Sequence, residues 1–148
     1  MKIGEINSMN KRIIYIPSLQ YECYFLGNGW KIVKEDKIRN IYIDSFYGYP
    51  FYIIFEHIEI ICKQLTMLIS KYSIVLSDIF PIELMVKDMV DHQQGYWLDL
   101  CIDFIIKMNC LNEGIANILT ETKYNKKGFD QKLRNKIRKM ILLNNYKY

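Results

Sequence analysis

Short runs of aromatic and aliphatic residues, broken by turn-forming residues, fill the first third of the chain. Tyr21–Leu26 and Trp30–Lys34 flank Gly27-Asn28-Gly29, a loop whose residues tolerate a positive φ angle. Aromatic-rich runs on either side of such a loop predict a β-hairpin. Two further runs are predicted strands, the second of them an edge strand because Pro17 ends it: Arg39–Phe46 and Arg12–Ile16.

After Pro50 the apolar residues recur every three or four positions, which is the period of an amphipathic helix. The first such stripe is Ile54, Ile58, Ile61, Leu65 and Leu68. Four more helices are predicted: one capped by Ser77 or Asp78 with Pro81 in its first turn, one over Tyr96 to Met108, a short one capped by Asn112, and a last one from near Phe129.

The order of these elements predicts an α+β fold, with a small N-terminal antiparallel β-sheet followed by a mainly helical C-terminal two-thirds. At 148 residues, one domain is expected over residues 1–148. Within it we distinguish a β-rich part (1–48), a helical body (51–121) and a basic C-terminal helix (123–148). The polar stretch 120–128 is the predicted linker before that helix.

Charge is distributed unevenly between these parts. Residues 1–122 carry eleven Lys or Arg against fifteen Asp or Glu, whereas residues 123–148 carry nine against one. Such a basic helix can dock on nucleic acid phosphates, on an anionic membrane or on an acidic protein. Alternatively, its charges face water, or they neutralise the acidic stretch 79–121, whose net charge is −5. The basic face consists of Lys132, Arg134, Lys136, Arg138 and Lys139.

Composition predicts a bacterial, cytoplasmic protein that needs no cofactor. The 25 Ile against four Val, and sixteen Lys against four Arg, are typical of an AT-rich genome. No signal-peptide core follows Met1, and charged residues interrupt the most apolar stretch, 51–69, so we expect no membrane span. The four cysteines lack metal-ligand spacing and are expected to be mostly buried thiols: Cys23, Cys62, Cys101 and Cys110.

Two arrangements of titratable residues are candidate chemical sites. Asp99 and Asp103 lie one helical turn apart and can bind a cation, but no third ligand accompanies them, which favours a solvated stripe with Asp103 paired to Lys107. Asp88 and His92 have the spacing of an oriented general base, but the polar edge of a helix next to a loop, formed with Asp91, is the better explanation. With no catalytic or metal motif present, we predict that the protein is not an enzyme.

The segment Gly95-Tyr96-Trp97-Leu98-Asp99-Leu100-Cys101-Ile102-Asp103-Phe104, preceded by Ile79-Phe80-Pro81-Ile82-Glu83-Leu84, resembles small bacterial immunity-type proteins. In these antagonists of polymorphic toxins, a helix that begins with proline is followed by a very apolar helix that begins with a Tyr-Trp pair. The position of Cys101 is often Ala. The resemblance covers about a quarter of the chain. It implies a protein that binds and neutralises a cognate toxin without doing chemistry.

Protein binding is therefore the predicted function, with a bacterial toxin as the expected partner. An acidic patch bordered by a tyrosine suits a basic, nuclease-type toxin, because complementary charge speeds association and an aromatic anchor adds affinity. The predicted alternative is a small nucleic-acid-associated regulator that uses the basic helix. The sequence leaves the oligomeric state open. The acidic patch consists of Asp88, Asp91, Tyr96, Asp99 and Asp103.

Overall fold

Four antiparallel strands, in the order β1-β2-β3-β4, begin the part of the chain that the computed structural model describes, residues 12–46 and 49–148. Helices follow them, so the fold is α+β as predicted. The chain divides into two compact units, residues 1–81 and 82–148. The strands are β1 (Arg12–Ile16), β2 (Tyr21–Phe25), β3 (Gly29–Lys34) and β4 (Lys37–Tyr42).

The predicted hairpin and edge strand are both present. Tyr21, Cys23 and Phe25 of β2 are buried and alternate with half-buried residues, which is the pattern of a strand with one face on the core. Gly27 has φ 90° in the loop that joins β2 to β3. β1 covers the predicted residues and lies at the edge of the sheet.

The third strand was predicted too late in the chain. β4 covers Lys37–Tyr42, not Arg39–Phe46, because Glu35 adopts a positive φ of 55° and the chain reverses within two residues, which pairs Lys37 with Lys34. β4 then ends because its antiparallel partner, β3, extends no further in that direction. β3 begins at Gly29, opposite Tyr42, and only one further backbone bond follows, from Ile43 N to Asn28 O at 2.9 Å.

An aromatic cluster holds the sheet against the helices of the first unit. The Trp30 ring is buried and packs edge-on against Phe51 and Phe80, at centroid distances of 5.4 and 6.3 Å. Its indole Nε1 donates to Ile79 O at 2.8 Å, so the buried donor is satisfied. The helices are α1 (Tyr49–Tyr52), a 3-10 turn (Ile53–His57), α2 (Ile58–Tyr72) and α3 (Leu76–Ile79).

The first helical stripe is interrupted. Ile54 is buried as predicted but belongs to the 3-10 turn, and α2 begins only at Ile58 because His57 leaves the helical region with φ −127°. The predicted caps Ser77 and Asp78 lie inside the one-turn helix α3 and cap nothing further on. Phe80 is extended because the residue before Pro81 avoids the α region.

Four helices make up the second unit: α4 (Ile82–Asp91), α5 (Gly95–Met108), α6 (Glu113–Thr120) and α7 (Gln131–Leu143). Asn112 caps α6 as predicted, since its Oδ1 accepts from Ile115 N at 2.8 Å. The stretch 120–128 is not an open linker. Thr122 is fully buried there, within a 3-10 turn, and its hydroxyl donates to Leu119 O at 2.7 Å.

One side chain of α2 completes the outer edge of β1. The Gln64 amide accepts from Tyr15 N at 3.0 Å and donates to Tyr15 O at 2.8 Å. A single amide thus replaces the two backbone bonds that a neighbouring strand would make. Covering an edge in this way prevents another chain from pairing with it.

We expect Gln64→Leu to lower the free energy of unfolding by about 1–3 kcal/mol, because it leaves both backbone groups of Tyr15 without their partner. Urea denaturation monitored by circular dichroism measures the change. Lys63→Ala is the matched control, since the exposed Lys63 precedes Gln64 on the same helix. Equal midpoints for the two variants would show that the amide does not support the edge.

Candidate functional site

The apolar side of α7 fixes the position of the basic helix. Leu133, Ile137, Met140 and Ile141 recur every three or four positions and are buried on one side of the predicted last helix, and α7 contacts both α5 and α6. Asp130, which the sequence analysis overlooked as a cap, begins the helix: its Oδ1 accepts from Leu133 N at 2.8 Å. The Asp-x-x-Leu spacing before an apolar stripe was the available signal.

Lys136 joins the two predicted charged sets. Its Nζ lies 2.6 Å from Asp99 Oδ1 and 2.7 Å from Asp103 Oδ1, and it also donates to Asp99 O at 3.3 Å. The two carboxylates are one turn apart on α5, so a single ammonium reaches both. The basic helix therefore neutralises part of the acidic stripe, one of the alternatives that the sequence left open.

The protonation of Lys136 reflects this arrangement. Partial burial alone lowers the pKa of its ammonium, but hydrogen bonds to Asp103 and Asp99, together with their charges, outweigh burial and raise that pKa. The lysine side chain is 29% exposed and the aspartates about half exposed. Solvent therefore screens the interaction, and each pair contributes at most about 1 kcal/mol.

Two cavities border the α5–α7 contact, and Lys136 lines both. A polar cavity of about 310 Å³ is lined at the beginning of the helices by Gly95, Tyr96, Asp99, Asp130, Lys132, Leu133 and Lys136. An apolar cavity of about 390 Å³ lies toward their ends, where Ile105 and Ile106 face Met140 and Leu143. The polar cavity contains members of both sets of predicted binding residues, and we call it the α5–α7 cleft.

The rest of the basic face does not form one surface. The Arg134 Nε donates to Phe129 O at 3.1 Å, so this side chain is held at the start of its own helix. Lys132, Arg138 and Lys139 are exposed. At about 100° per residue, Lys132 and Lys139 lie about 20° apart, whereas Arg138 lies about 120° from Lys132. Lys132 and Lys139 therefore share one side of the helix, whereas Arg138 points away from them.

The other acidic residues lie on the last turn of α4. Asp91 pairs with Lys87 at 3.1 Å, and Asp88 Oδ1 lies 3.0 Å from the His92 Nδ1. The His92 side chain is 68% exposed, so the pair lies at the surface of the unit. Tyr96 is 61% exposed, whereas its neighbour Trp97 is half-buried and packs edge-on against it at 4.9 Å.

Three of the four cysteines are buried. Burial raises the pKa of the Cys23 and Cys101 thiols, which keeps them protonated and unreactive. All four cysteines are free thiols. Within residues 12–46 and 49–148, no three His, Cys, Asp or Glu side chains are grouped to hold a metal ion, and no helix has both the length and the hydropathy to cross a bilayer.

No family model, no curated protein and no solved structure matches this chain.

We expect Lys136→Met to lower the free energy of unfolding by about 1 kcal/mol, because it leaves Asp99 and Asp103 facing each other without the cation. Chemical denaturation at low salt measures the effect, and high salt should reduce it. Lys139→Met is the control, since Lys139 is exposed on the same helix. A loss no larger than that of the control would contradict the assigned contact.

A comparison of wild type with Lys136→Met also tests the raised pKa of Lys136. A lysine whose pKa is higher in the folded state stabilises fully below its unfolded value, about 10.4, and loses that contribution as the pH rises through the folded value. The stability difference between wild type and Lys136→Met should thus stay constant through neutral pH and shrink only above about pH 10.4. A difference that disappears already at pH 8–9 would exclude this protonation behaviour.

Proposed function

We propose that this protein is a non-enzymatic protein-binding protein, of the immunity type that inhibits a cognate bacterial toxin. The observation that carries the proposal is Tyr96, a large aromatic side chain that is 61% exposed at the α5–α7 cleft, beside Asp99 and Lys136. A tyrosine offers a large contact area at low entropic cost and a hydroxyl for hydrogen bonding. Surrounded by charged groups in a concave site, it has the character of an interface hot spot.

The charges of the predicted acidic patch and of the cleft beside Tyr96 indicate which kind of partner fits there. Lys136 lines the cleft together with Tyr96 and compensates part of the charge of Asp99 and Asp103. On α4, Lys87 compensates part of the charge of Asp91, another member of the predicted acidic patch. The remaining field is mixed and weaker than the acidic patch predicted from the sequence. A toxin that binds here is held mainly by Tyr96 and by hydrogen bonds to fixed charges, and electrostatic steering contributes modestly to its association rate.

Nucleic acid binding by α7 is the second candidate. In its favour, Lys132 and Lys139 are both exposed on the same side of the helix. Against it, Lys136 between them is bound to two carboxylates and Arg138 points elsewhere. Binding through phosphate contacts alone requires several cations along one track, so the protein-binding role has the stronger support.

Affinity capture from the native lysate, with and without nuclease and at low and high salt, separates the two candidates. We expect one protein to be retained through nuclease and high salt, and Tyr96→Ala to weaken its binding at least ten-fold through loss of the central anchor. Isothermal titration calorimetry with the purified partner measures that change. A toxin activity of the partner that this chain suppresses would identify the immunity role.

Tyr124→Ala is the matched control, because Tyr124 is 81% exposed in the same unit but belongs to the 3-10 turn Glu121–Tyr124. It should leave the affinity unchanged. If Tyr96→Ala and Tyr124→Ala bind equally well, the α5–α7 cleft is not the interface. If only nucleic acid is captured and high salt releases it, the protein-binding proposal is wrong.

A further inference from the structure

The outward face of the sheet carries an unusual set of side chains for a surface exposed to water. Strand pairing aligns Arg12, Tyr24, Lys31 and Asn40 in one row across all four strands. A second row contains Tyr15, Glu22, Val33 and Ile38. Tyr42 lies on the same face, because its neighbour Ile41 is buried with Trp30 on the other. We call this surface the tyrosine face.

A β-bulge in β1 places two of these residues together. The pairing shifts between Arg12 and Ile14, so that Ile13 and Ile14 are both buried while Arg12 and Tyr15 both lie on the outward face. The Arg12 guanidinium stacks on the Tyr15 ring, 3.9 Å from its centroid.

The central ring of the face is Tyr24. Lys31 Nζ lies 4.5 Å from its ring centroid, and its hydroxyl donates to Glu22 Oε2 at 2.9 Å. Tyr15, Tyr24 and Tyr42 belong to three different strands and follow a diagonal across the sheet, with Lys31 between the last two. All three rings are half-buried, which leaves part of each accessible.

We propose that the tyrosine face binds a short stretch of single-stranded nucleic acid. Successive bases stack on aromatic rings regardless of sequence, and a row of cations beside the rings tracks the phosphates. Arg12 and Lys31 are the cations here, and Asn40 supplies an amide for a base edge. The binding is independent of the toxin-binding role and of the basic helix α7, since it uses other residues.

Glu22 is the one carboxylate among the strand residues named above for this face, and it opposes phosphate. The hydrogen bond from Arg12, with Nη1 2.9 Å from Glu22 Oε1, keeps the pKa of that carboxyl low, so it stays ionised. Its charge offsets that of Arg12 and limits the affinity. Replacing it by glutamine frees Arg12 for phosphate without changing the size of the side chain.

Fluorescence anisotropy with labelled octa-uridine RNA and octa-thymidine DNA tests the proposal on the full chain. Tyr24→Ala should weaken binding about five-fold or more through loss of one stacked base, whereas Tyr24→Phe should retain it. Lys31→Gln should reduce the slope of log affinity against log salt by about 0.7. Glu22→Gln should tighten binding. Tighter binding of the RNA than of the DNA would indicate contacts to the 2′-hydroxyl.

Circular dichroism confirms that each variant folds, and the double variant Lys132→Gln/Lys139→Gln is the control on α7. It should leave oligonucleotide binding unchanged if the tyrosine face is the site. The proposal is overturned if neither oligonucleotide binds, if Tyr24→Ala binds as well as wild type, or if the α7 variant alone abolishes binding. In the last case the basic helix is the nucleic acid site.

Discussion

The positions of the charged side chains in the second unit depend on the packing of α7 through its apolar side. Four buried side chains, Leu133, Ile137, Met140 and Ile141, set the rotation of the helix, so that Lys136 meets α5. Burial of such side chains contributes on the order of 2 kcal/mol each, far more than an exposed ion pair contributes. Packing therefore decides where the charges lie, and the contact of Lys136 with Asp99 and Asp103 is its consequence.

Because packing determines where the charges lie, the uneven charge distribution along the sequence does not translate directly into charged surfaces. A basic helix beside an acidic body suggests two separate charged surfaces, each awaiting a partner. In the folded unit they meet at Lys136, and of the exposed cations that remain on α7 Lys132 and Lys139 share one side, whereas Arg138 points about 120° away. The surface around Tyr96 is consequently mixed in charge, which favours a specific protein contact over attraction by net charge alone.

Local signals in the sequence predicted most of the fold. Aromatic runs around a turn-forming loop located the β2–β3 hairpin, the apolar spacing of three or four residues located the helices α5 and α7, and Asn112 was recognisable as a cap. Errors arose where tertiary contacts decide: β4 ends because β3 begins at Gly29, and Thr122 is buried within a polar stretch. Neutralisation of the acidic stretch by the basic helix was one alternative from the sequence, but the pairing of Lys136 with Asp99 was not predicted. These residues are far apart along the chain, and only packing joins them.

Hydrogen exchange of the backbone amides tests most directly whether α7 is packed against the second unit. Packing predicts that the amides of Ile137, Met140 and Ile141 exchange as slowly as those of the buried α5 residues Cys101 and Ile105, because both helices open only when the unit unfolds. If the amides of α7 exchanged orders of magnitude faster than those of α5, the helix would be a separately opening basic segment. The internal pairing of Lys136 would then not govern the surface around Tyr96.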